Sequence, residues 1–150
     1  MKICLIPARG GSKRIPRKNI RSFRGKPMIA WSISAAHASE CFDQVLVSTD
    51  DEEIAEVARA HGALIPFLRP AHLADDHANT KDVMAHALEW IEQQGMQCDA
   101  LCCLYATAPF VQAEDLQRSL QLLNDSRPGT LVFAATSFPF PIQCAIHLDA

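Results

Sequence analysis

Short apolar runs that alternate with segments of helical period constrain this chain more than any other feature. Lys2–Pro7, Gln44–Ser48, Ala63–Leu68, Ala100–Ala106 and Thr130–Ala135 read as strands. Between them, Pro27 suits the first turn of a helix that Met28–Ser39 continues, and further helices are predicted over 51–61, 81–94 and Ala113–Asn124. Asp50 can cap the second of these helices, with Glu53 in capping-box position and Gly62 at its end. Thr80 can cap the third, whose Val83, Met84, Ala87, Leu88 and Ile91 share one face before Gly95. Ala100–Ala106 is continuously apolar, as a fully buried strand would be, whereas Pro66 marks Ala63–Leu68 as an edge. The repeated strand–helix order predicts an α/β fold: a mostly parallel sheet with helices on both faces.

The 150 residues fit one domain, 1–150, and 49% hydrophobic with 21% charged residues is a folded, globular balance. No apolar run reaches the roughly 18 residues of a membrane helix. Pro7 and Arg9 cut off Met1–Ile6 too early for a signal-peptide core, so a cytoplasmic protein with no membrane partner is expected. The net charge of −3 gives no overall field that would favour nucleic acid. The cations are uneven, however. Arg9, Lys13, Arg14, Arg17, Lys18, Arg21, Arg24 and Lys26, more than half of the 14 Lys and Arg, fall in one stretch, which points to a local anionic ligand.

Six cysteines, Cys4, Cys41, Cys98, Cys102, Cys103 and Cys144, form no CxxC pair, and neighbouring Cys102 and Cys103 should face opposite ways on a strand. Buried reduced thiols are expected rather than a disulfide framework. The chain closes on Phe138-Pro139-Phe140-Pro141 and an apolar stretch, Ile142–Ala150, with no closing helix. A domain incomplete at its C-terminus is therefore expected.

In an open parallel sheet, ligands gather beyond the carboxyl ends of the strands. Four such ends carry notable residues: Pro7–Asn19, Ser48–Asp51, Arg69–Thr80 and Tyr105–Pro109. The first is the strongest. Gly10-Gly11 permits close backbone approach, Ser12 adds a hydroxyl, and Arg9 and Lys13 flank them with cations. Such a loop suits phosphate oxygens and the charge developing on a departing pyrophosphate. It has neither the GxxxxGK[ST] spacing of a Walker A loop nor the GxGxxG of a dinucleotide fingerprint. The bland alternative is a solvated basic loop.

Ile6-Pro7-Ala8-Arg9-Gly10-Gly11-Ser12-Lys13, followed by Ile15-Pro16 and Lys18-Asn19, resembles the N-terminal signature of the acylneuraminate (CMP-sialic acid) cytidylyltransferase family. The resemblance continues through Val47-Ser48-Thr49-Asp50, Leu68-Arg69-Pro70-Ala71 with Leu73, and Ala106-Thr107-Ala108-Pro109, and so covers nearly the whole chain. Phe67–Pro70, Cys103–Pro109 and Ser137–Gln143 resemble the pseudaminic acid branch in particular; sialic-acid enzymes usually have Gln-Pro-Thr-Ser-Pro where this chain has Tyr105–Pro109.

The resemblance implies a Rossmann-like nucleotide-diphospho-sugar transferase sheet and a homodimer. It also implies transfer of CMP from CTP to a nine-carbon keto sugar acid, with Mg²⁺ and release of pyrophosphate. It places Arg9 and Lys13 on the triphosphate as catalytic cations, with Ala8, Gly10, Gly11 and Ser12 around the phosphates. Asn19 would hold base or ribose, Arg69, Ala78 and Thr80 the cytosine, and Tyr105 and Thr107 the sugar acid. It puts the metal-binding Asp pair and much of the dimer contact beyond Ala150, so no metal ligand is assigned here. Two rivals stay open: synthesis of CMP-N-acetylneuraminate, and a noncatalytic nucleotide-binding or assembly domain.

Other signals have plainer explanations. Asp50-Asp51-Glu52-Glu53 is explained by a cap and an acidic first helical turn rather than a metal. His72 with Asp75-Asp76-His77 matches no zinc spacing and reads as a polar substrate loop. His37, His61, His86 and His147 show no catalytic partner, and Trp31 and Trp90 read as core residues.

Overall fold

Strand β1, Lys2–Pro7, lies at the centre of a three-stranded parallel sheet, between β4, Gln44–Ser48, and β5, Ala100–Cys103. The computed structural model describes residues 1–137. Phe138–Gln143, Cys144, His147 and the rest of the Ile142–Ala150 stretch lie outside the described residues. A two-residue hairpin, β2 (Ser22–Phe23) and β3 (Lys26–Pro27), leads into helix α1, Met28–Ala38. Helices α2 (Glu52–Ala60), α3 (Thr80–Gln93) and α4 (Ala113–Asn124) follow, with a 3-10 turn at Ala71–Leu73.

Alternation along β1 divides the core. Cys4 and Ile6 face α1, α2 and α4 through Ile29, Ile33, Ile54, Ala58 and Leu116, while Ile3 and Leu5 face Ala87 and Ile91 of α3. Helices thus cover both faces of the sheet. Burying each of the Ile and Leu side chains contributes about 1.5–3 kcal/mol. Parallel pairing follows because each strand returns through a helix, in register Leu5 to Leu46 and Leu5 to Cys103. The carboxyl ends of β1, β4 and β5 therefore open onto one rim. Among the described residues no helix is long and apolar enough to cross a membrane.

Four local expectations are corrected. Ala63–Leu68 is not a continuous strand: only Leu64 and Leu68 bridge to Leu46 and Thr49, because Pro66 has no N–H to donate. Thr130–Ala135 forms no strand; no neighbour pairs with it among the described residues, and Leu131 and Phe133 are 78% and 76% exposed. The run from Ala100 leaves the strand after Cys103, and as a sheet edge it is only half-buried. Finally, the caps fall one residue away from the expected ones. Asp51, not Asp50, accepts the Ile54 N–H at 3.0 Å, and Asn79, not Thr80, accepts that of Asp82 at 3.0 Å. The described cysteines are free thiols; Cys4 and Cys102 face each other across β1 and β5, and burial raises the Cys103 pKa to about 11.

Candidate functional site

The loop after β1 is shaped by its contact with the loop after β4. The Ala8 N–H donates to the Ser48 carbonyl at 2.9 Å, and the Gly10 N–H to Asp50 Oδ1 at 3.0 Å. This contact explains why Asp50 is not the cap of α2. A Cβ on Gly10 would stand 2.6 Å from Asp51 Oδ2, whereas one on Gly11 would meet nothing within 4 Å. Gly10 is thus required by packing and Gly11 leaves its surroundings open. Asp51 is fixed in turn by Arg17, whose guanidinium donates to its two oxygens at 2.5 and 3.1 Å and also reaches Glu53. The Arg17 guanidinium, aided by the Ile54 N–H, holds the Asp51 carboxyl below its usual range.

Beyond this support opens a cavity of about 540 Å³ lined by Arg9, Ser12, Lys13, Arg14, Ile15, Lys18, Asn19 and Asp76. Four of these, Arg9, Ser12, Lys13 and Asn19, are predicted site residues. Asn19 is 6% exposed, and its amide donates to the Arg9 carbonyl at 2.9 Å, tying the two ends of the loop together. Its own carbonyl accepts the Ile29 N–H at 2.8 Å, which anchors the loop on α1. Arg14 and Lys18 belong to the basic stretch but were not singled out; their place on the cavity wall is decided by the turn of the loop. Asp76 was missed as well, since it reaches the cavity from a distant segment.

Asp76 bridges the two cations expected to act in catalysis. Its Oδ1 is 3.0 Å from the Arg9 guanidinium and its Oδ2 contacts the Lys13 ammonium. Lys13 first, then Arg9, holds its carboxyl below the usual range. Arg9 also donates to the Asp75 carbonyl at 2.5 Å. Asp75 turns its carboxylate away and accepts the His77 and Ala78 N–H groups, both at 2.8 Å. That Asx-type turn aims Asp76 at the cavity.

The remaining predicted residues do not line this cavity, and Ala8, 1% exposed, belongs to the hydrophobic core. Arg69 is 6% exposed; its guanidinium donates to Ser48 Oγ at 3.1 Å, to the Ser48 carbonyl and to the Leu73 carbonyl at 3.3 Å. It fastens the 69–80 loop to β4, and burial lowers its pKa. Ala78 is held through its N–H by Asp75. Thr80, relieved of the capping role, places Oγ1 3.1 Å from the Tyr105 hydroxyl. Tyr105 is exposed while its carbonyl accepts the Ser32 hydroxyl at 2.9 Å, and Thr107 is exposed beside it. Tyr105 and Thr80, expected on opposite sides of the site as sugar-acid and cytosine contacts, are therefore direct neighbours.

Among the described residues no cluster of three or more His, Cys, Asp or Glu side chains could hold a metal ion. The nearest carboxylates are engaged, Asp50 by the Gly10 N–H, Asp51 by Arg17 and Asp76 by two cations. The described residues do not fit a magnesium site of their own. His37 contacts the Gly62 carbonyl at 3.2 Å, and His86 packs edge-on to Phe67, so both have structural surroundings. Trp31 donates to the Phe23 carbonyl at 2.9 Å and Trp90 packs near Phe67.

Residues 3–138 match the family described as cytidylyltransferase. The chain is 48% identical over 149 residues to a pseudaminic acid cytidylyltransferase of Campylobacter jejuni, covering 98% of this chain and 63% of that protein. It is 38% identical over 120 residues to a CMP-N,N'-diacetyllegionaminic acid synthase of Legionella pneumophila, covering 80% of this chain and 52% of the relative. It thus spans less than two thirds of the length of the curated relatives it matches here. Among solved structures, a CMP:2-keto-3-deoxy-manno-octonic acid synthetase complexed with CTP superposes with a TM-score of 0.68 at 27% identity, covering 83% of this chain and 48% of that one. By sequence and by fold, the chain belongs to the cytidylyltransferase family.

Proposed function

We propose that this protein transfers CMP from CTP to a sialic-acid-like nine-carbon keto sugar acid, with pseudaminic acid as the favoured acceptor. The observation that carries the nucleotide part is the cavity in which Arg9, Lys13, Arg14 and Lys18 converge beside Ser12 and the buried Asn19. Four cations around one concavity suit a triphosphate better than a singly charged ligand. In the reaction, the anomeric hydroxyl of the acid attacks the α-phosphorus. The bond to the β-phosphate breaks and pyrophosphate leaves. The protein's part is to position both partners and to spread negative charge.

Arg9 and Lys13 take the β- and γ-phosphate oxygens, Lys13 neutralising the leaving group, while Ser12 and the backbone at Ala8, Gly10 and Gly11 border the phosphates. Asn19 holds the nucleoside. Arg69, Ala78 and Thr80 shape the cytosine side, Arg69 by holding the loop in place. Tyr105 and Thr107, on the exposed rim, receive the acid. The choice of acid is supported by the 48% identity to the pseudaminic enzyme against 38% to the legionaminic one. Mg²⁺, a homodimer and a cytoplasmic location remain part of the proposal.

The test is pyrophosphate release with CTP and Mg²⁺ against pseudaminic, legionaminic and N-acetylneuraminic acids. Release that is fastest with pseudaminic acid is expected. Preference for N-acetylneuraminate would overturn the choice of acceptor. Binding of CTP with no release from any acid would leave a noncatalytic nucleotide-binding domain.

A further inference from the structure

We propose that Asp76 is a place-holding carboxylate: it competes with the triphosphate for the Arg9–Lys13 cation pair, yields the pair when the triphosphate binds, and retakes it as pyrophosphate departs. The inference rests on the reading that these two cations receive the triphosphate. Each oxygen of Asp76 meets a different cation, Oδ1 the guanidinium at 3.0 Å and Oδ2 the ammonium. Two oxygens on one centre shared between an arginine and a lysine is also how a phosphate would bind there.

The carboxylate is aimed rather than incidental. Asp75 holds the turn through the His77 and Ala78 N–H groups, and Arg9 grips the same loop at the Asp75 carbonyl. The contact is also releasable. Lys13 is 79% exposed and Asp76 43% exposed at their side chains, and neither is locked in the core. Exposed pairs of this kind are weak enough for a polyanion to displace. Arg14 and Lys18 on the same wall add attraction that the triphosphate can use without moving a carboxylate. Asp76 therefore opposes every ligand that must occupy Arg9 and Lys13, and leaves alone any ligand that does not.

The test titrates CTP, inorganic pyrophosphate and CMP, without metal, into the unaltered chain and into Asp76→Asn, which keeps the side chain's shape. CTP and pyrophosphate should bind the variant roughly three- to thirtyfold more tightly, the range two exposed ion pairs can be worth. CMP, which lacks the β- and γ-phosphates, should bind both proteins equally. Equal CTP and pyrophosphate affinities in the two proteins would overturn the place-holder and leave the nucleotide site standing. Weaker binding by the variant would overturn it too, and make Asp76 a ligand contact. A matching change for CMP would mean that the loop as a whole had moved, against the proposal. No binding of CTP or pyrophosphate by either protein would overturn both readings.

Discussion

A Cβ built on Gly10 would stand 2.6 Å from the Oδ2 oxygen of Asp51, so these two residues approach more closely than any other side chain at position 10 would allow. Asp51 cannot easily retreat, because Arg17 and the Ile54 N–H both hold it. Gly10→Ala should destabilise the fold by about 1–3 kcal/mol, the usual cost of overpacking. Gly11→Ala, at an open position, should change stability by less than about 0.5 kcal/mol. Urea unfolding of the two variants checks this; equal stabilities would mean that the loop adapts at Gly10.

Lys13 is exposed and its removal should not disturb folding. In the proposed CMP transfer, Lys13→Ala is expected to raise the barrier by about 3–4 kcal/mol, the size of losing one preorganised charge-stabilising donor. Steady-state kinetics beside a thermal melt separate the two effects. Normal turnover in the variant would remove Lys13 from the chemistry.

Arg69 offers the opposite case, with its guanidinium buried and used on Ser48 and Leu73. Arg69→Ala leaves the Ser48 and Leu73 carbonyls without that donor and frees the loop that follows. A loss of about 2–4 kcal/mol of stability is expected, and Arg69→Lys should recover only part of it, because an ammonium cannot reproduce the fork. Denaturant titration of both variants measures the difference. Full recovery by lysine would show that charge alone matters.

The Asp51–Arg17 pair predicts a pH dependence with a definite sign. The folded-state pKa of Asp51 lies below its unfolded value, about 4 for a free carboxylate. Its contribution to stability is therefore complete above the unfolded pKa and is lost as pH falls through the folded one. Asp51→Asn should remove that segment of the acid-unfolding curve while leaving the neutral-to-alkaline limb's slope unchanged. Circular dichroism across the acid range checks this, and superimposable acid limbs for the two proteins would contradict it.

The parallel sheet and its helices were legible because β1 and β4 are short continuous apolar runs and α2, α3 and α4 each carry an apolar stripe, and the loop at Gly10-Gly11 was legible from its crowd of cations. What escaped depended on residues far apart in sequence. Asp50 and Asp51 are equally good caps locally; the Gly10 N–H, forty residues earlier, engages Asp50 and leaves the cap to Asp51. Thr130–Ala135 has the composition of a strand, but pairing requires a neighbour that composition cannot report. Asp76 looked like part of a polar loop because nothing nearby reveals that it meets Arg9 and Lys13.

Binding of CTP at the Arg9–Lys13 cavity is the claim on which the rest depends, and equilibrium dialysis of labelled CTP against the chain and against Lys13→Ala tests it most directly. Saturable binding is expected, weakened at least about tenfold by the substitution and competed poorly by ATP, a tenfold change being about 1.4 kcal/mol. Absence of saturable binding, or undiminished binding by Lys13→Ala, would contradict it.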